Sequence, residues 1–275
     1  MLTPRPDGPR GLLFKPPSPD GVNRHGRYLP SGDLAGFIEH FWSVSWDLRA
    51  TGPFAVETLP HPSVHIVIEP GKSRVVGITR ARFSRTLQGE GWVFGIKFHP
   101  GAFAPLIDAP VSSLTDRIVP IVQILGSDGP ALEAQVVAAP DDGEKVQRAE
   151  GFLRSRLPAL DPRCTDARAI VDLIRADRRI LQVQDIVEHA QLSTRSLQRL
   201  FIRYVGVSPK WVIQRFRMHE AAEQLATGDT DGARLALELG YVDQAHFIRD
   251  FKAMVGVPPN SYATSINRGP RSQMP

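Results

Sequence analysis

Apolar positions follow two rhythms along this chain. Between about residues 27 and 106 they come in short runs, SVSW, SVHIVIEP, SRVVGITR, RFSRTLQ and GWVFGIKFHP, most of them alternating or β-branched and set apart by Pro or Gly. Runs of that kind predict strands. Pro70-Gly71-Lys72-Ser73 and Gly89-Glu90-Gly91 supply the clearest hairpin turns, and Pro100-Gly101-Ala102-Phe103 should start a short helix after the last strand. One stretch breaks the pattern: SGDLAGFIEHFW spaces Leu34, Phe37, Ile38 and Phe41 by helical intervals, with Asp33 near its start, and so predicts a helix. From about Thr115 the helical rhythm takes over, first in IVPIVQILG and ALEAQVVAA, then with Val146, Ala149, Phe152, Leu153 and Leu157. These helices either pack on the sheet or pair with a second subunit. The fold class expected is α+β: a small antiparallel β barrel or sandwich with helices, followed by an all-α C-terminal half.

In that second half Leu160-Asp161-Pro162-Arg163-Cys164-Thr165 reads as a linker, and Asp166 as the cap of a helix that packs through Ala167, Ile170, Val171 and Ile174. VQDIVEHAQL then places Val183, Ile186, Val187 and Ala190 on one face before a turn at Gln191-Leu192. STRSLQRLFIRYVG follows, with Leu197, Leu200, Phe201 and Tyr204 on one face and Arg195, Ser196, Gln198, Arg199 and Arg203 on the other. Ser193 or Thr194 can cap it and Gly206 stops it. Two short helices joined by a tight turn make a helix-turn-helix. A long connector starts after Ser208-Pro209, carries Trp211, Val212, Met218, Ala221, Ala222 and Leu225, and stops near Thr227-Gly228.

The plan then repeats. Leu235, Ala236 and Leu239 lie on a first helix, Gly240-Tyr241 forms the turn, and Gln244 to Val255 is the second helix. LQRLFIRYVGVSP and HFIRDFKAMVGVPP share an apolar-x-Arg-x-Phe core and a Gly-Val-x-Pro ending, so Arg199 matches Arg249 and Phe201 matches Phe251.

Charge sharpens the picture. The chain has 275 residues, 42% of them apolar, and a net charge of only +4, with a pI near 9.4. That length suits two domains of ordinary size. Yet no carboxylate occurs between Glu188 and Glu220, while Arg195, Arg199, Arg203, Lys210, Arg215 and Arg217 all do. Such a window attracts a polyanion. The absence of a transmembrane-length apolar run and of a signal-peptide pattern argues for a cytoplasmic protein without a membrane partner. Cys164 is the only cysteine, which excludes an intramolecular disulfide and a thiolate zinc cluster.

The chain resembles the AraC/XylS class of bacterial transcription regulators, with their paired helix-turn-helix domain, through LQRLF, GVSP, Arg217 and Ala221, then LA, GY, DQAHF, RDF and GVPP. The match spans about Asp166 to Ala263. Val187, Val212 and Gly232 depart from the family pattern, and a glycine inside a helix costs about 1 kcal/mol relative to alanine. The resemblance implies base-edge contacts from Arg195, Ser196, Gln198 and Arg199 in the first unit and from Gln244, His246 and Arg249 in the second. Arginine pairs bidentately with guanine and glutamine with adenine, although Arg199 and Arg249 can equally bind phosphate or brace a helix. Ala245 and Ile248 on the second face offer contacts to methyl groups. Arg203, Lys210 and Lys252 are expected on the phosphate backbone. A stiff connector would hold the two reading helices about one DNA turn, roughly 34 Å, apart.

RYLPSGDLAGFIEHFW, ETLPHPSVHIVIE and GIKFHPGAF resemble an uncharacterised domain found ahead of such DNA-binding domains. The organisation expected is a flexible arm over 1–25, in which Leu12, Leu13 and Phe14 could dock on a neighbour, a sensor domain over 26–142, a helix and linker over 143–165, the DNA-binding domain over 166–266 and a tail over 267–275. Its partners would be double-stranded promoter DNA, RNA polymerase, a small-molecule effector, and a second copy through the N-terminal half.

Two other readings concern the N-terminal half. His61, His65 and His99 with Glu57 and Glu69 could form a cupin-like metal site, serving an enzyme or sensor fused to a DNA-binding module. His61-Pro62 sits in a turn, however, and ordinary histidines are the competing reading. The aromatic set Trp42, Trp46, Phe54, Trp92, Phe94 and Phe98 either lines an effector pocket or is core. A regulator that joins an alkyl-accepting cysteine domain to the same DNA-binding half needs several zinc-binding cysteines. No nucleophile elbow, phosphate-cradling loop or HExxH motif appears. The expectation is a binding protein with no cofactor, not an enzyme.

Overall fold

The computed structural model describes residues 23–228 and 232–267. The expected arm, including Leu12 to Phe14, lies outside the described residues up to position 22, as does the tail from 268. Asn23–Tyr28 is strand, although positions 23–25 were expected within the arm.

Among the described residues eight strands make two antiparallel sheets: β1 (Asn23–Tyr28), β2 (Ile38–Asp47), β3 (Phe54–Thr58), β4 (His65–Ile68), β5 (Arg74–Val76), β6 (Phe83–Leu87), β7 (Glu90–Phe98) and β8 (Ile118–Pro120). The large sheet runs β1-β2-β7-β4-β5-β8, and β3 pairs with β6 alone. That order leaves β1 and β8 as edges, which makes a sandwich and not a closed barrel.

Pro70 to Ser73 does turn β4 into β5, with Gly71 at φ 71° and Lys72 N–H donating to the Glu69 carbonyl at 2.8 Å. Gly89 is no hairpin turn. It carries the chain from β6 in the small sheet to β7 in the large one. Beyond β7 the expected short helix is a single 3-10 turn, Ala104–Leu106.

The expected helix over SGDLAGFIEHFW is a series of turns leading into β2. The cause is a register shift between Ile38 and His40, which brings Ile38 opposite Phe98 and Phe41 opposite Ile96. A bulge at that point puts residues three apart on one face of a strand, and so imitates a helical interval. Leu34, Phe37, Ile38 and Phe41 are nonetheless all buried.

The large sheet is covered on both faces. Phe41, Ile66, Phe94, Ile96 and Phe98 pack with helices α1 (Ile121–Leu125), α2 (Asp128–Val137) and α3 (Asp142–Arg154) through Leu132, Val136, Val146 and Phe152. Polar bonds fix α3 there: Tyr28 Oη donates to Asp142 at 3.0 Å and Ser31 N–H to Glu150 at 2.6 Å. Helix α3 therefore packs on its own sheet. The opposite face, Trp42, Val44, Trp46, Val67 and Val93, meets Phe54, Val56 and Leu87 of the small sheet. There the two indoles lie across glycines. A Cβ on Gly95 would stand 2.0 Å from Trp42, and one on Gly91 2.6 Å from Trp46.

Helix α4 (Pro162–Ala176) begins inside the expected linker. Asp161 caps it by accepting from Arg163 N–H, and Pro162 opens its first turn, whereas Asp166 lies within it. Cys164 is consequently a buried helix residue, and burial pushes its thiol up to about 11. Six more helices follow: α5 (Val183–Ala190), α6 (Thr194–Leu200), α7 (Pro209–Thr227), α8 (Gly232–Glu238), α9 (Gln244–Val255) and α10 (Pro259–Asn267). The core continues across both halves, since Ile78, Val111 and Leu114 share a cluster with Phe201, Val205 and Val207. Among the described residues no helix is long and apolar enough to cross a membrane.

Candidate nucleic-acid interface and a cavity

Local sequence builds the first unit as expected. Gln191 turns the chain at φ 52°, Ser193 Oγ accepts from Ser196 N–H, and α6 runs into a π-turn, Phe201–Val205, that Gly206 ends at φ 94°. Leu197 and Phe201 are fully buried. Arg195, Ser196, Gln198, Arg199 and Arg203 are all exposed. Among the described residues the three arginines make no hydrogen bond or ion pair, although Arg203 helps hold the Asp161 carboxyl below its ordinary range. Lys210, at the start of α7, is likewise exposed.

The second unit repeats this frame with different surface chemistry. Asp243 accepts from His246 N–H at the start of α9, Phe247 and Phe251 are buried, and Gly256 ends the helix at φ 95°. Arg249 and Lys252 are exposed and unpaired among the described residues. His246 is tethered to its own domain. Its Nε2 lies 3.5 Å from Asp250, and its ring meets Tyr241 edge-on at 5.1 Å. Gln244 packs on the start of α8, where a Cβ on Gly232 would come within 2.8 Å of its amide nitrogen. Gly232 is the first described residue of α8. Ala245 is exposed, but Ile248 is half-buried against the core of this unit. Sequence reading missed Val242, 88% exposed just before α9. An apolar residue next to a capping Asp at a helix start was the available signal.

Two members of the basic window are structural. Arg215 is fully buried, donates from Nη2 to the Arg80 carbonyl and lies over the Trp211 ring at 4.5 Å; burial pulls its pKa down to about 10. Arg217 pairs with Glu220 at 2.9 Å and donates to the Ile180 carbonyl at 2.8 Å and the Asp177 carbonyl at 3.1 Å. Neither can reach a polyanion from there.

One N-terminal segment, 78–82, touches the far ends of both exposed helices. An added Cβ on Gly206 would meet Ile78 at 2.8 Å, and one on Gly256 would meet the Arg82 guanidinium at 2.6 Å. Thr115 Oγ1 donates to the Gly206 carbonyl at 2.7 Å. Positive φ and close approach together require glycine at both positions. Leu59, from the N-terminal half, is buried within the core of the second unit.

Residues 186–265 match a helix-turn-helix domain family, and residues 26–120 match a domain family of unknown function, DUF6597. The HTH-type transcriptional activator AarP of Providencia stuartii is 34% identical over 85 residues, 31% of this chain and 63% of that protein. A putative AraC-like transcription regulator of Streptomyces lividans is 32% identical over 96 residues, 35% of this chain and 32% of that one. Residues 186–265 form an AraC/XylS-type helix-turn-helix domain. The chain spans from 32% to 63% of the length of these two relatives. The C-terminal domain of AraT, a response regulator from Geobacillus stearothermophilus, is 25% identical with a TM-score of 0.35, covering 43% of this chain and 95% of that one.

Between the two sheets, and partly walled by α4 and α7, lies a cavity of about 480 Å³. Of the six aromatic residues expected to line a pocket or form core, Trp42 and Trp46 line it. Phe54 packs between the sheets, Phe94 and Phe98 are core on the other face, and Trp92 lies under the Lys145 ammonium at 4.2 Å. The polar wall, Arg27, Glu39, Lys97 and Arg175, escaped sequence reading. A lysine inside the apolar run GWVFGIKFHP, in phase with the inward-facing Val93 and Gly95, was its one signal.

Of the residues of the suggested metal site, His61, His65 and His99 line this cavity, while Glu57 and Glu69 do not. His61 stacks on His219 of the AraC-type domain with centroids 4.2 Å apart, and His65 Nδ1 accepts from Trp42 Nε1 at 3.2 Å. Glu57 holds Arg82, and Glu69 holds Arg74 and Arg85. Among the described residues no three His, Cys, Asp or Glu side chains form a group that could hold a metal ion. Burial lowers the imidazole pKa to about 3 in His65 and His219 and to about 4 in His99, and well below the ordinary value in His61.

Proposed function

We propose that this chain is a cytoplasmic, sequence-specific DNA-binding regulator of transcription that reads two successive major grooves with α6 and α9 and responds to a small molecule. The observation that carries the reading is the pair of exposed basic faces, Arg195, Arg199 and Arg203 in one unit and Arg249 and Lys252 in the other, each mounted on the same buried Phe and glycine-stopped frame. Unpaired guanidinium and ammonium groups suit phosphates and guanine edges. Arg195, Ser196, Gln198 and Arg199 would read bases in the first unit, while Arg203, Lys210 and Lys252 would hold phosphates. In the second unit Arg249 is the main reader, with the Ala245 and Val242 methyls available to thymine. His246 and Gln244 must first give up their contacts with Asp250 and α8.

Arg199→Ala and Arg249→Ala test these roles on a panel of duplexes with single base changes. Each should relax preference at its own block of bases, at a cost of about 1–3 kcal/mol for the preferred base, with the blocks about one turn apart. Equal weakening on every duplex would make both residues phosphate contacts.

A further inference from the structure

The cavity is larger than a packing defect and its wall is charged. A cross-strand row, His40, Lys97 and His65, runs over β2, β7 and β4 on the face that also carries Trp42. Lys97 is only 7% exposed, and its ammonium bonds Glu39 at 3.1 Å. Arg27 contacts the same Glu39 at 3.5 Å, and Arg175 enters from α4, paired at 2.7 Å with Asp172, which also meets Arg168 at 3.5 Å. Five lysine and arginine side chains line the space against two carboxylates, Glu39 and Asp172. Even with Glu69 behind Arg74 and Arg85, cations outnumber anions. Burial depresses the proton affinity of Lys97, Glu39 opposes that, and the positive charges of Arg27 and Arg175 add to the depression.

A second observation points to an acceptor. Ser63 is 3% exposed, lines the same space and has a hydroxyl without a hydrogen-bond partner. Leaving a buried hydroxyl unpaired is costly, and an anion seated beside it would remove that cost. The wall also has an apolar part: the Trp42 indole lies across Gly95, and Val44, Val67 and Phe216 of α7 line the space with it, beside the rings of His40 and His65. The volume is that of a site for a small organic molecule.

We propose that this cavity is an effector site for an arene carrying one anionic group, with the anion held by Lys97, Arg175 and the Ser63 hydroxyl and the ring laid along Trp42. Because α4 and α7 form part of the wall, the ligand touches the DNA-binding half directly. The proposal deepens the regulator reading by naming the class of its effector. It is tested without DNA, so failure of one does not imply failure of the other.

The probes are 1-anilinonaphthalene-8-sulfonate and its uncharged analogue N-phenyl-1-naphthylamine, titrated into the full chain at neutral pH and followed by fluorescence. The anionic dye should saturate one site per chain and bind about tenfold or more tighter than the neutral one, a difference equivalent to about 1.4 kcal/mol. Lys97→Met should erase that preference while leaving the neutral dye's affinity unchanged. Since Lys97→Met strips Glu39 of its ammonium and could unfold the sheet, Arg175→Met on the exposed edge of α4 is the second variant, expected to weaken only the anionic dye. Equal affinity for the two dyes, no saturable binding, or an anionic dye indifferent to both variants overturns the proposal.

Discussion

Arg203→Ala should flatten the salt dependence of DNA binding, whereas Arg217→Met should not, although the two residues stand only fourteen positions apart in one basic window. Arg195, Arg199, Arg203, Lys210, Arg249 and Lys252 are exposed and free of ion pairs among the described residues. If Arg203, Lys210 and Lys252 each neutralise one phosphate at about 0.9 per contact, log K falls against log salt with a slope of about −3, or roughly 40-fold between 50 and 200 mM. Removing Arg203 should reduce the slope by about 1 and weaken all duplexes alike. Arg217, by contrast, is 4% exposed and spends its charge on Glu220 and two carbonyls. Its loss should leave the slope intact and lower stability by about 2–4 kcal/mol, the range for a charged group with several buried bonds. The assay is fluorescence anisotropy with a fixed 30-base-pair duplex, roughly three turns at the spacing of successive grooves, over that salt range, with urea melts of each variant alongside. A slope that drops for Arg217→Met, or stays fixed for Arg203→Ala, would refute this division of the basic window.

Three further outcomes follow from the packing between the halves. His61 and His219 stack as neutral rings, and His219 resists protonation until about pH 3. The unfolded chain binds that proton near 6.5, so stability is full above 6.5 and falls as pH drops toward 3, by about 1.4 kcal/mol per pH unit for each such imidazole. His219→Phe should make urea midpoints between pH 7 and pH 5 less steep; an unchanged pH slope would sink the idea. Leu59→Ala, a change in the N-terminal half, should destabilise the second reading unit by about 2–5 kcal/mol, seen as faster amide exchange in α9. Exchange confined to the β3 region would show that the halves do not share that core. Gly206→Ala and Gly256→Ala should each weaken DNA binding, because both need positive φ and both lie against the 78–82 segment; wild-type affinity in both would remove that segment from the account.

How much of this was legible in the sequence depended on whether the signal was local. The C-terminal helices were, because caps and stops such as Ser193, Ser208, Gly206 and Gly256 act on their own neighbours, and α7 has the expected ends. The strands β1, β3 and β8 were not, since their pairing partners lie far along the chain and their apolar alternation is thin. The β2 bulge wrote a helical interval into a strand. Among the candidate readers, exposure followed the periodicity on α6, but the tethers on His246 and Gln244 depend on Asp250, Tyr241 and α8. Arg215 and Arg217 looked like surface charge because nothing local records that the Arg80 and Ile180 carbonyls come to meet them.

The most direct test of the central claim is selection of bound duplexes from a randomised library by the purified full chain at near-physiological salt, followed by sequencing. Two AraC-type units in one chain, differing at almost every exposed position, predict an asymmetric site with two short blocks whose centres are about 10–10.5 base pairs apart. A single block, a palindrome, or no enrichment above the starting library would contradict it.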